Sequence, residues 1–297
     1  MRDLKYNKLL SGLTLSTKIR EELRVDLKEC LLRNSTVRPP CLTMVLVGDN
    51  YASKMYVDFK HKTCQQLGIS SRLVSLDSSV SQEELLVVID KLNQDDSVDG
   101  ILVQLPLPDH IDKQVVLSRI DPRKDVDGLS PYNQGLLMAA SSEAVVPCTP
   151  LGIVELIRQV EPNLEGKLVA VVGRSLLVGK SVRLLLENYN CTTIGIHSKT
   201  KNPQTLCQMA DIVVVAVGHA GIIDKNWIKK DAIVIDVGIN KDNSSHTVGD
   251  VNRDSVYEQT INLSPVPGGV GPMTITMLMK NTIKLWKKRF KIKTKYC

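Results

Sequence analysis

KLVAVVGRSLLVGKS, residues 167–181, decides the fold. A run of apolar, β-branched residues breaks at Gly173, and helix-forming residues resume near Gly179. A strand that turns tightly into a helix is where a phosphate-binding turn belongs, because the helix N-terminus offers free N–H groups to an anion. Gly173 permits the turn, and Gly179 permits close packing of the helix. The spacing is G-x5-G rather than G-x-G-x-x-G, so the position of these glycines carries more weight than their pattern. Downstream, TTIGIHS (192–198), ADIVVVAVG (210–218) and DAIVIDVGIN (231–240) read as strands buried on both faces. Together they predict a doubly wound, nucleotide-binding half.

Upstream, the same alternation of strand and helix recurs. Residues 13–33 read as an amphipathic helix and LTMVLVGD (42–49) as a buried strand. A helix follows, with Ser53 as its expected N-cap and Gly68 as its stop. Ser81 with Glu84 fits a capping box before a further helix, and GILVQLPLP (100–108) is a strand ending in prolines. This alternation predicts a parallel sheet flanked by helices. The Thr149-Pro150 pair suits a helix start after a boundary near residue 147. A last helix begins near Pro272. At 297 residues the chain suits two domains.

Composition excludes several classes. No apolar run reaches the ~20 residues of a membrane span. MRDLKYNKLLSGL (1–13) carries Asp3 and no apolar signal core, so no targeting peptide is expected and a cytoplasmic location is. The seven cysteines, Cys30, Cys41, Cys64, Cys148, Cys191, Cys207 and Cys297, are scattered without a C-x-x-C pair. That argues for reduced thiols and against a structural metal. The net charge is +6, but seven Lys or Arg lie in the last fourteen residues, KLWKKRFKIKTKYC, so the rest is close to neutral. A basic tail can touch RNA or anionic lipid. A solvated helix end is the favoured reading, since cations suit a helix C-terminus.

Two local readings point to chemistry. Strands in this position of nucleotide-binding sheets often end in an acid that grips ribose hydroxyls. Here the sequence is IHSKT, with Ser198 and Lys199 in its place and Arg174 beside the first turn. A hydroxyl with cations suits a 2′-phosphate, which predicts NADP. In YVDFKHK (56–62), Tyr56 and Lys60 are four residues apart and share a helix face. His61 is turned about 100° from Lys60, and Lys62 about 200°. A lysine can act as a base near neutral pH only if its pKa falls from ~10.4 by about three units. Gln104, at a strand end, can donate and accept without adding charge.

The stretches YVDFKHK (56–62), GILVQLPLP (100–108), PRKDVDGL (122–129), PCTPLG (147–152), VVGRSLLVGKS (171–181), HSKT (197–200), VIDVGIN (234–240), VGDV (248–251) and PVPGGVGPMT (265–274) resemble the methylenetetrahydrofolate dehydrogenase/methenyltetrahydrofolate cyclohydrolase family, in the family's order. The resemblance implies a bifunctional enzyme of one-carbon metabolism and purine biosynthesis. It would oxidise 5,10-methylenetetrahydrofolate with NADP and hydrolyse the methenyl product to 10-formyltetrahydrofolate. It implies two α/β domains. The first, 1–146, is a folate-binding catalytic domain completed by a C-terminal helix of about 275–297. The second, 147–274, is a Rossmann-like NADP-binding domain. It also implies a homodimer, with folate in the cleft between the domains.

By matching positions, the resemblance makes Lys60, Tyr56 and Gln104 catalytic. Tyr56, Gln104, Asp127, Pro267 and Gly268 would bind substrate. Thr149, Gly173, Arg174, Ser175, Ser198, Gly218, Ile239 and Thr274 would bind cofactor. Asp127 suits the paired N–H donors of a pterin, and Asp125 becomes structural. Cys148 has no histidine near it in sequence and reads as a buried, inert thiol. Departures from the pattern are small: Ser264 stands where threonine is usual, and LLSGLTLS (9–16) lacks the family's Asp-Gly-Lys.

Overall fold

The computed structural model describes residues 8–242 and 244–292. The described residues form two compact units: Lys18–Cys148 with 275–292, and Thr149–Thr274 with 8–17. Helix α1 (Gly12–Arg33) enters the first unit at Lys18 and leads there to β1 (Cys41–Val47), α2 (Tyr51–Leu67), β2 (Ser70–Leu76), α3 (Gln82–Gln94), β3 (Gly100–Val103), α4 (Lys113–Arg119) and α5 (Pro131–Met138). Its sheet has the order β2-β1-β3 and is parallel throughout. Strand β1 is central and every residue of it is buried, as its apolar run requires. Strand β2 is an edge of mixed exposure; SSRLVSL offers no apolar run, and the sequence reading passes over it.

Helix α2 is set by its ends. Its N-cap is Asn50, whose side chain accepts the Ser53 N–H, so Asn50 and not Ser53 caps the helix. Gly68 closes it at φ 80°, with its N–H on the Cys64 and Gln65 carbonyls. Val57, Cys64 and Leu67 are buried. The expected capping box of Ser81 and Glu84 is present at α3.

The second unit contains α6 (Cys148–Arg158, joined through Cys148 to the first), β4 (Leu168–Val172), α7 (Ser181–Glu187), β5 (Thr192–Ile196), α8 (Pro203–Met209), β6 (Ile212–Val215), β7 (Ile233–Asp236), β8 (Asn240–Lys241), β9 (Thr247–Val248), α9 (Arg253–Val256) and β10 (Asn262–Leu263). The order β10-β7-β6-β4-β5 is parallel, while β8 and β9 pair antiparallel. From β4 the chain moves out to β5 and then returns to β6 on the other side. The carboxyl ends of β4 and β6 therefore flank a topological switch point, where such sheets take ligands. Leu9 bridges Leu263 in parallel beyond β10.

Helix α10 (Val270–Arg289) is the last element. Its basic end is bonded into the first unit. Trp286 is fully buried with Nε1 on the Arg38 carbonyl at 2.9 Å. Lys287 pairs with Asp26 and Lys288 with Glu143. Arg289 reaches the Val98 carbonyl at 3.1 Å and Asp96 at 2.6 Å. Lys287 is buried with its partner, while Lys288 and Arg289 make their ion pairs at an exposed helix end. The rest of the expected tail, residues 293–297 with Cys297, lies outside the described residues, as does residues 1–7 with Asp3.

Two glycines make the β4 turn possible. Gly173 sits at φ 127°, and a Cβ there would lie 2.2 Å from the Ala216 carbonyl oxygen. A Cβ on Gly179 would lie 2.3 Å from the oxygen of Gly173, so the segment 176–180 packs directly on the turn. Gly173→Ala is expected to lower stability by at least ~1–3 kcal/mol from backbone strain alone. Gly135→Ala, with open space inside α5, is expected to raise it by ~0.5–1 kcal/mol. Thermal or denaturant unfolding of the two variants checks both signs.

Candidate active site

Lys60 lies on α2, and its Nζ donates to Gln104 Oε1 at 2.8 Å. Gln104 follows β3 directly, with its backbone N–H on the Val45 carbonyl at 2.8 Å. Its Nε2 donates to the Leu105 carbonyl at 2.6 Å, which turns Oε1 toward the lysine. The amide is thus oriented from both ends. Burial holds the Lys60 ammonium below its ordinary pKa, while Asp127 and the nearby thiols of Cys148 and Cys64 pull the other way. Burial likewise raises the Asp127 carboxyl, with Lys60 opposing. Both groups are pushed toward their neutral forms.

The expected partner for Lys60 differs. Tyr56 shares its helix face, but the residue is 42% exposed and the amine bonds Gln104 instead. Of the other basic residues on α2, His61 contacts Ser71 and Gln65, and Lys54 pairs with Asp49. Asp125 is structural, accepting from Ser130 N–H at 2.9 Å and Asn133 Nδ2 at 2.9 Å. Cys148 is buried, and burial beside Asp127 raises its thiol well above the usual range, so it stays protonated.

Asn281 escaped the sequence reading. Its Nδ2 donates to the Val126 carbonyl at 2.9 Å and the Val146 carbonyl at 3.0 Å, tying the chain before Asp127 to α10. The available signal was a polar residue at a buried position of an apolar helix.

The second unit carries the remaining candidates. Thr149 and Thr274 meet through their hydroxyls at 3.0 Å. Gly173, Arg174 and Ser175 form the turn after β4, with Arg174 and Ser175 exposed and Ser175 capping Val178 N–H at 3.2 Å. Ser198 and Lys199 are exposed in a turn closed by the His197 N–H on Thr200 Oγ1 at 2.9 Å. No acid stands at this end of β5. A glycine turn at the switch point, with an exposed arginine, hydroxyl and lysine, therefore fits a nucleotide bearing an extra phosphate. Gly218 sits at φ 71°, Ile239 is 60% exposed, and Gly268 sits at φ 101° after Pro267, with its carbonyl on the Leu13 N–H at 3.0 Å.

Two buried carboxylates lie beside Gly218 and Ile239, and the sequence reading gave neither a role: Asp236 and Asp250. Both lie in quoted motifs, VIDVGIN and VGDV. For Asp236, an acid at the end of an apolar strand was the available signal.

Comparison with known proteins places these residues in context. Residues 10–127 match the family model described as the tetrahydrofolate dehydrogenase/cyclohydrolase catalytic domain, and 147–290 match its NAD(P)-binding domain. A protein of Oceanobacillus iheyensis named bifunctional protein FolD is 48% identical over 93% of this chain and 95% of its own. The crystal structure of a bifunctional FolD methylenetetrahydrofolate dehydrogenase/cyclohydrolase from Campylobacter jejuni is 44% identical, covers 95% of this chain and 99% of that one, and superposes with a TM-score of 0.91. A Trypanosoma brucei FolD structure, complexed with NADP cofactor and inhibitor, is 36% identical with a TM-score of 0.90, over 95% and 98% of the two chains.

Asp236 gives a pH test of the site's electrostatics. Burial raises its carboxyl to about 6, against three backbone N–H groups that favour the charged form. Its unfolded value is ~3.9, so the folded chain holds this proton more tightly. The contribution is stabilising below about pH 4 and is lost as pH rises through about 6. Relative to Asp236→Asn, the native protein is expected to lose on the order of 2–3 kcal/mol of unfolding free energy between pH 4 and 7. Denaturant titrations at each pH measure the difference.

Proposed function

The chain belongs to the tetrahydrofolate dehydrogenase/cyclohydrolase family, and on that premise we propose that it oxidises 5,10-methylenetetrahydrofolate to the methenyl form with NADP⁺ and hydrolyses that product to 10-formyltetrahydrofolate. The observation that carries this reading is the desolvated Lys60 amine, bonded to Gln104 with Asp127 beside it. The Lys18–Cys148 unit is assigned folate binding and proton transfer, and the Thr149–Thr274 unit nucleotide binding.

The hydrolysis needs proton traffic. Water attacks the methenyl carbon, loses a proton, and a ring nitrogen must then take one to leave. A neutral Lys60 can accept the first proton and return it, because one N–H spent on Gln104 leaves its lone pair free. An uncharged amine also avoids repelling the cationic methenyl group. Gln104 holds the nitrogen in place without adding charge, and Asp127 accepts N–H donors of the pterin. Tyr56, exposed on the same face, supplies a ring surface to the substrate. By motif position, Pro267 and Gly268 are also proposed as substrate-binding residues.

For the oxidation, the bound nicotinamide supplies the hydride acceptor. The chain's own share is placement. Gly173 lets backbone approach the phosphates, Arg174 and Ser198 meet the 2′-phosphate, and Thr149, Ser175, Gly218, Ile239 and Thr274 line the rest. The reading extends to a homodimer acting in the cytoplasm, in one-carbon metabolism and purine biosynthesis. Light scattering at working concentration tests the dimer.

Two variants test the chemistry. Lys60→Met keeps the stem and removes the amine; methenyl decay is expected to fall at least ~100-fold, the scale of lost acid–base catalysis, with the dehydrogenase severely reduced. Normal methenyl decay would remove Lys60 from the mechanism. Ser198→Asp sets a carboxylate against the 2′-phosphate and is expected to weaken NADP⁺ by roughly tenfold or more, ~1.4 kcal/mol, and NAD⁺ far less. Equal losses for both nucleotides would overturn the NADP assignment.

A further inference from the structure

The carboxylate of Asp250 is fully buried. Its Oδ2 accepts the Val217 N–H at 2.7 Å and the Gly218 N–H at 3.0 Å, where the chain leaves β6. Its Oδ1 accepts Asn240 Nδ2 at 2.8 Å, one residue past Ile239 in the chain leaving β7. Its own N–H donates to Asp236 Oδ1 at 2.9 Å. Asp236 in turn accepts Gly238 N–H at 3.0 Å and Val251 N–H at 3.0 Å. Two carboxylates thus hold five backbone N–H groups from three segments of chain.

The surroundings leave no slack. A Cβ on Gly238 would lie 2.2 Å from Asp250 Oδ1, and one on Gly249 would lie 1.8 Å from Asp236 Oδ2. The glycines of VIDVGIN and VGDV are therefore spaces cleared for these carboxylates. Left without acceptors, buried N–H groups cost ~1–3 kcal/mol each, and the two loops would shift to find water.

We propose that Asp250 is a positioning residue for the pyridine nucleotide: by fixing the backbone at Gly218 and beside Ile239, it holds in register the two loops on which the cofactor rests. This inference rests on the nucleotide assignment of the preceding subsection. It separates the two activities, because the hydrolysis takes no nucleotide. Asp250 touches neither substrate nor cofactor and acts through the backbone it holds.

The test uses full-length Asp250→Ala and Asp250→Asn with three readouts. These are NADPH binding by fluorescence titration, amide hydrogen exchange at residues 217–218, and the two activities measured separately. Asp250→Ala is expected to weaken NADPH and raise the NADP⁺ KM tenfold or more, and to speed exchange at 217–218, while cyclohydrolase turnover stays within twofold. Asp250→Asn keeps an oxygen for Val217 and Gly218, and the Asn240 amide can turn over to meet its NH₂. It is expected to bind NADPH within threefold of the native protein.

Unchanged NADPH affinity in Asp250→Ala overturns the inference. So does a parallel loss of both activities, which would mark a purely structural residue. If Asp250→Ala does not fold, Asn240→Ala carries the test, with an expected threefold weakening of NADPH and intact cyclohydrolase; no weakening there overturns it equally. A native protein that hydrolyses methenyltetrahydrofolate yet binds no NADPH overturns the nucleotide assignment itself, and this inference with it.

Discussion

An amine kept from water is the constraint around which the first unit is organised. A lysine in solvent is protonated at neutral pH and cannot take a proton. Lys60 is shifted toward the neutral amine: α2 packs Val57, Cys64 and Leu67 inward beside a fully buried β1, and burial lowers the pKa of the amine on the same helix. Gln104 then meets the nitrogen with an oxygen, oriented by its second bond to Leu105. A carboxylate in place of Gln104 would raise the amine's pKa and undo what burial achieves. Asp127 tempers the shift, and its own proton affinity is raised by the same desolvation.

The second unit meets a different demand, that of bringing backbone close to a large, flat, charged ligand. Its means are glycines and buried carboxylates rather than long side chains. Gly173 and Gly179 stack a turn against a helix start at the switch point. Gly238 and Gly249 clear room for Asp250 and Asp236, which satisfy N–H groups that no strand partner reaches. Buried N–H groups must find acceptors, and here the acceptors also fix loop geometry. At the basic end of α10, Lys287, Lys288 and Arg289 pair with Asp26, Glu143 and Asp96, and only Lys287 is buried.

Much of this was legible in the chain before any coordinates. Buried parallel strands are written as apolar β-branched runs, so β1, β3, β4, β6 and β7 could be located, and the alternation with helices implied both sheets. Gly68, the Ser81–Glu84 box and the glycines of the β4 turn carry local rules that neighbours do not alter. Edge strand β2 was missed because an edge need not be apolar. Asn50 displaced Ser53 as the cap because two polar residues three positions apart compete for one N-terminus, and only backbone geometry chooses. Motif positions supplied Lys60, Gln104 and Asp127 as candidates.

What the sequence by itself determined was the buried central strands with their main helices, the parallel arrangement of the two larger sheets and the residue types able to do the chemistry, since these follow from periodicity and local backbone preference. Tertiary structure alone decided who partners whom. Helical spacing paired Lys60 with Tyr56, but the amine bonds Gln104, 44 residues away. Asn281 reaches Val126 across 155 residues, and Asp250 holds Val217 across 33. Such contacts have no period to betray them. They exist because buried donors need acceptors, and the acceptor is whichever group the fold brings within reach.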